Sequence, residues 1–144
     1  MSFGDDNIAT FKQYVEALPE PDPAMLREKL AAVVAVDFDG TDRPQPLRYL
    51  GREGLAAFRE RANRAAQAGA TVVLEDIFAT RDKVVARMTG TFSPPGSEPF
   101  SFELIEIAEI KTDGPDKGKI ARRWAQFDRT KVLQLLGMCP ATQA

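Results

Sequence analysis

The chain has 144 residues, 44% hydrophobic and 28% charged, with a formal net charge of −2, one cysteine and no histidine. That length supports one domain with a real core, and without a basic face or a block of like charges the chain is not expected to bind nucleic acid or an anionic membrane. Lacking histidine, it has no imidazole base, no Ser-His-Asp or Cys-His nucleophile and no histidine metal site. The lone Cys139 excludes an internal disulfide and a structural zinc site.

The opening MSFGDDNIAT carries acids and no apolar h-region, and no 18-residue apolar run exists, so neither a signal peptide nor a membrane span is expected. One free cysteine fits a reducing cytoplasm. Ile8, Phe11, Val15 and Leu18 recur at helical spacing and predict a first helix over about 5–18. Asp22-Pro23 is a start signal for a second helix, about 22–32, with Met25, Leu26, Leu30 and Val33 as its apolar positions. The β-branched VVAVDFD predicts a strand over 33–39. Gly40, Pro44 and Pro46 make 40–50 read as a loop. A third helix over about 52–68 places Leu55, Phe58 and Ala62 inward and ends at Gly69.

Strands follow near 71–79, 83–92, 100–111 and 119–128, separated by Arg81-Asp82, by SPPGSEP and by TDGPDKG, with a short helix at 129–136 ending at Gly137. Consecutive strands on short turns imply antiparallel pairing. The expected architecture is a single α+β domain over 1–144: a curved antiparallel sheet, built from about 33–39 and 71–128, wrapped by helices into a cone with an internal cavity.

FELIEIAEI, residues 102–110, sets three glutamates into an apolar run. Its isoleucines, the preceding Pro99 and the following turn favour a strand, and strand parity separates the acids. Glu103 and Glu109 share one face with Ser101, Ile105 and Ile107. That face reads as a partly covered surface, suited to a homodimer contact. Glu106 stands alone on the other face among Phe100, Phe102, Leu104, Ala108 and Ile110. In an apolar site its neutral form is favoured, and a protonated carboxyl donates a hydrogen bond. If Arg123 reaches it, pairing removes that effect and the site suits anion binding instead.

GKIARRWAQFDRTKVLQLLG, residues 118–137, with GREGLAAFRE, residues 51–60, and the order of elements resemble the SnoaL-like branch of the nuclear transport factor 2-like superfamily, named for polyketide cyclases. The resemblance covers most of the chain and implies the cone fold, a small apolar or aromatic ligand and no cofactor or metal. It fixes no single chemistry, since the superfamily holds isomerases, cyclases, epoxide hydrolases, dehydratases and binders. Where the cyclases and limonene epoxide hydrolases carry a catalytic aspartate on the last strand, this chain has Ala125. Cyclase pocket histidines fall on Arg123 and Glu106, and Asp128 matches a structural aspartate. Arg87 resembles an epoxide-hydrolase arginine, but Thr89 stands in its carboxylate partner's place.

The ketosteroid isomerases are similar in another way. Their tyrosine on the first helix, basic aspartate at the end of the first strand and protonated aspartate on the penultimate strand correspond to Tyr14, Asp37 and Glu106. The resemblance implies a carbonyl substrate deprotonated by Asp37, its enolate oxygen held by Tyr14 and Glu106. Phe11, Phe58, Phe102, Leu104, Arg123, Ala125 and Phe127 are the expected substrate-binding residues. The rival from another class is a non-catalytic ligand-binding or dimeric assembly module of the same fold, which Ala125 favours.

Overall fold

The computed structural model describes residues 3–43, 47–66, 70–93, 95–96 and 98–127. The expected C-terminal helix at 129–136, its Gly137 end, Asp128 and the Gly69 cap lie outside them. Helix α1, Phe3–Ala17, buries Asn7, Phe11, Tyr14 and Ala17 on one stripe. Asn7 Nδ2 donates to the carbonyls of Thr80 and Arg81, tying the start of α1 to a strand turn. Helix α2, Pro23–Val33, starts where Asp22 Oδ1 accepts from Ala24 N at 3.2 Å, the N-cap expected of Asp-Pro. It buries Leu26, Leu30 and Val33, whereas Met25, expected inward, is exposed.

The segment 40–50 is not a loop. Strand β1 runs Val34–Arg43, and β2, Leu47–Leu50, pairs back on it antiparallel. Gly40 lies within β1 because nothing larger fits: a Cβ there would stand 2.8 Å from the Phe38 ring and 3.2 Å from Tyr49. Its role is close packing, where the sequence suggested a turn. Helix α3, Gly51–Ala66, follows, with Gly51 at a φ of 77° where the chain leaves β2. Strands β3, Ala70–Ala79, β4, Lys83–Phe92, β5, Phe100–Ile110, and β6, Ile120–Gln126, match the expected strands closely.

The six strands form one open sheet in the order β2-β1-β6-β5-β4-β3. Its pairings are antiparallel except that of β1 with β6, which is parallel. The sheet is therefore mixed: the first strand docks beside the last, a long-range pairing that adjacent turns do not report. All three helices pack against the inner face, around Phe11, Tyr14, Leu26, Leu30, Phe38, Val84 and Met88. The outer face keeps Val73, Ile105, Ile107 and Trp124 exposed. Among the described residues no helix is long and apolar enough to cross a membrane.

Candidate functional site

Strand β5 alternates as its sequence requires, with Leu104, Glu106, Ala108 and Ile110 buried and Glu103, Ile105 and Ile107 exposed. Glu106 faces inward and is 3% exposed. The strands on either side bring the rest of the site to it. Ala125 of β6 pairs in register with Glu106 on one side and with Asp42 of β1 on the other. Two carboxylates therefore flank a methyl group in one row across three strands. Arg123, two residues earlier on the same face of β6, leans into the space that this methyl leaves.

Arg123 Nε donates to Glu106 Oε1 at 2.9 Å, and Nη2 lies 2.9 Å from the same oxygen. Nη1 lies 2.9 Å from Asp42 Oδ1 as an ion pair outside hydrogen-bond angle. The second Asp42 oxygen accepts a 2.5 Å hydrogen bond from the Tyr49 hydroxyl of β2. The Arg123 guanidinium also lies 5.8 Å from the centre of the Tyr49 ring, which meets Phe58 of α3 edge-on at 5.0 Å. Burial opposes the charge on Arg123, but Glu106, Tyr14 and Asp42 outweigh it and hold its pKa well above the ordinary value. Because arginine offers only donors, Glu106 must accept at Oε1. Its other oxygen, Oε2, is buried and has no hydrogen-bond partner among the described residues.

The clamp lines a cavity between the sheet and helices α1 and α3. The cavity volume is about 110 Å³, counted as room for the centres of water-sized molecules. That is far more room than one water needs, so the cavity has space for a small organic ligand. Leu55, Phe58, Met88 and Leu104 make most of the wall apolar. Phe102 stacks on Phe127 with centroids 5.3 Å apart, and Phe92 and Phe100 extend that aromatic row. Tyr14 also lines the cavity, and burial pushes its hydroxyl pKa far above the usual tyrosine value, so it stays a donor.

Of the expected site residues, Tyr14, Phe58, Phe102, Leu104, Glu106, Arg123 and Phe127 converge on this cavity. Asp37 does not, and its expected placement as the cavity base is corrected here. Its side chain is 64% exposed and pairs with Lys111 at 2.9 Å. In a regular strand it would share the inner face of Val33 and Ala35. The β1–β6 register slips between Val34 and Asp39, which moves Phe38, Gly40 and Asp42 inward instead. Phe11 is core, its ring 5.6 Å from that of Tyr14, and Ala125 is the small residue between the carboxylates; neither lines the cavity. Of the two arrangements expected for Glu106, the structure has the one in which Arg123 reaches it and donates to Oε1.

Asp42, Tyr49, Arg59 and Asn63 line the cavity without having been singled out in the sequence. The alternation Phe38-Gly40-Asp42 carried the signal for Asp42, hidden because Gly40 suggested a turn. Among the described residues no group of three or more acidic, cysteine or histidine side chains is placed to hold a metal.

The sequence profile of the SnoaL-like domain matches residues 11–123. The chain belongs to the SnoaL-like domain family. No curated protein matches it. Solved SnoaL-like relatives share the fold at low identity. One, from Jannaschia sp. CCS1 and provisionally assigned as a SnoaL-like polyketide cyclase, has a TM-score of 0.75 at 15% identity, covering 97% of each chain. A protein of ketosteroid isomerase-like fold from Catenulispora acidiphila, solved with trimethylamine, gives 0.68 at 16%, covering 92% of this chain and 94% of that one. An M. tuberculosis LEH-like epoxide hydrolase gives 0.68 at 16%, covering 92% and 90%. At these identities such SnoaL-like neighbours establish architecture alone.

Proposed function

We propose that residues 1–144 form one SnoaL-like domain that binds a small apolar carbonyl compound and performs cofactor-independent acid–base chemistry on it, isomerase- or cyclase-like, with Glu106 as proton acceptor. The observation that carries this reading is Glu106: among the described residues its Oε2 is buried without a hydrogen-bond partner, its twin oxygen is fixed by Arg123, and the residue lines a mostly apolar cavity. A fixed carboxylate with one free oxygen is equipped to remove a proton next to a carbonyl. Tyr14, kept protonated by burial, then donates to the oxygen on which charge develops. Asp42 and Tyr49 position Arg123, and through it Glu106. Structures of the same fold that are described as a polyketide cyclase, a ketosteroid isomerase-like protein and an epoxide hydrolase support small-molecule chemistry here.

The test is deuterium exchange at the α-carbon of a cyclic ketone such as 2-tetralone, followed by NMR in D₂O. Glu106→Gln is expected to slow exchange by about 10²-fold or more, the usual contribution of a positioned base. Exchange by that variant at the wild-type rate sinks the reading. A second reading, a non-catalytic ligand-binding module, is favoured by the same clamp, because Arg123 already engages both buried carboxylates. It predicts ligand binding with no enzyme-dependent exchange at all.

We also infer a homodimer through the outer sheet face, where Ile105 and Trp124 stay 49% and 42% exposed. Trp124→Glu should convert a dimer to a monomer in light scattering. A monomeric wild type removes the idea. A cytoplasmic location follows the single cysteine and is part of the same proposal.

A further inference from the structure

Among the described residues, four charged side chains line the cavity: Asp42, Glu106, Arg123 and Arg59. The first three form the clamp. Arg59 stands apart, half-buried in the middle of α3. Its Nε and Nη2 each donate to the Leu18 carbonyl at 3.3 Å, and Nη2 donates to Asn63 Oδ1 at 3.1 Å. These partners are neutral. Among the described residues Arg59 makes no ion pair, and its Nη1 makes no hydrogen bond. Other arginines of the chain behave differently: Arg27 lies against Glu53 and Glu60, and Arg48 against Asp39.

Burial lowers the Arg59 pKa, as expected of a cation short of counter-charge, although a guanidinium stays protonated at any physiological pH. Its position is held rigidly from one side, by Leu18 and Asn63, while one nitrogen stays uncommitted. A guanidinium anchored in this way is a ready receptor for an anionic oxygen. Glu106 lines the same cavity, and among the described residues its Oε2 has no hydrogen-bond donor.

We propose that the cavity takes a small aromatic or apolar acid, its ionised oxygen bound by Arg59, its hydroxyl or acidic C–H turned to Glu106 Oε2, and its ring against Phe58, Phe102 and Phe127. This rests on reading the cavity as the ligand site. It adds a ligand class and a specificity-determining residue that acid–base chemistry alone does not require.

Isothermal titration of the full chain with 4-hydroxybenzoate and with its methyl ester at neutral pH tests it. The carboxylate is expected to bind about tenfold tighter or more, the scale of one charge-assisted hydrogen bond. Arg59→Gln should abolish that preference. Arg59→Lys, which keeps the charge, should retain part of it. Because Arg59 also holds the Leu18 carbonyl, the comparison of acid with ester on the unaltered chain decides the matter even if Arg59→Gln does not fold. Equal affinities, a tighter ester, no measurable binding of the carboxylate at millimolar concentration, or a preference that persists in Arg59→Gln overturns the proposal. Glu106→Gln separates the two readings. A retained carboxylate preference with undiminished proton exchange leaves Arg59 as the anion site and removes the base. Lost exchange without any carboxylate preference does the reverse.

Discussion

Replacing Arg123 with methionine keeps most of the side chain's length and removes its charge. Asp42 and Glu106, 1% and 3% exposed, then lose the cation that both contact at 2.9 Å. Removing one partner of a buried ion pair typically costs about 3–5 kcal/mol, because the remaining charge is left uncompensated. Two carboxylates depend on Arg123, so the upper half of that range is expected. For a chain of this size each kcal/mol moves the Tm by roughly 2–4 °C, so a fall of roughly 8–20 °C should accompany it. Urea unfolding followed by circular dichroism measures the loss directly, with an unchanged m-value as the sign that the native state keeps its extent. The companion variant Arg123→Met/Glu106→Gln/Asp42→Asn removes the stranded charges and should recover at least half of the stability. A loss below about 1 kcal/mol in Arg123→Met, or a triple variant no more stable than the single one, would refute the account of Arg123 as the shared counter-ion.

Gly90→Ala places a Cβ 2.6 Å from the Phe102 ring, so the ring must move and disturb its stack on Phe127. A stability loss of about 1–3 kcal/mol is expected, with weakened ligand binding, read by urea unfolding and titration. Asn63→Ala leaves the Glu20 carbonyl without its side-chain donor and takes one from Leu18, for about 1–2 kcal/mol in the same unfolding assay. Asp116 accepts from Val36 N at 3.0 Å, and that bond holds its carboxyl below the usual aspartate value. The stabilisation is therefore present above the unfolded pKa, about 3.9, and is lost as pH falls through the lower folded value. Asp116→Asn should be less stable than wild type at neutral pH and converge with it in acid; a difference independent of pH contradicts the assignment.

Glu106 was legible in the sequence because β5 keeps an unbroken period of two from Phe100 to Ile110 against an unbroken partner strand. Asp37 was expected in the cavity from its match to the isomerase base, and strand geometry turns it to solvent instead. The slip in β1 shifts the alternation by one residue, and no local signal announces it. Gly40 read as a turn residue because the sequence does not reveal that the Phe38 ring packs over it. The pairing of Arg123 with Glu106 was visible as one of two alternatives, and choosing between them required the row Asp42–Ala125–Glu106, which spans three strands. Arg59 looked like any charged residue on an amphipathic helix. Only the fold brings the Leu18 carbonyl to it and leaves one nitrogen uncommitted at the wall.

The parallel pairing of β1 with β6 governs when the site comes into being. A growing chain can form α1 and α2 from local contacts, and β3 to β5 as neighbouring antiparallel strands. Strand β1 must wait for β6 before its parallel edge is filled. Arg123 travels with β6, so until that strand docks Asp42 and Glu106 have no common counter-ion and their inner face stays wet. The clamp is therefore completed by the event that joins the two parts of the sheet. The same long-range closure that makes this topology slow to fold commits the cavity to a single arrangement of charges.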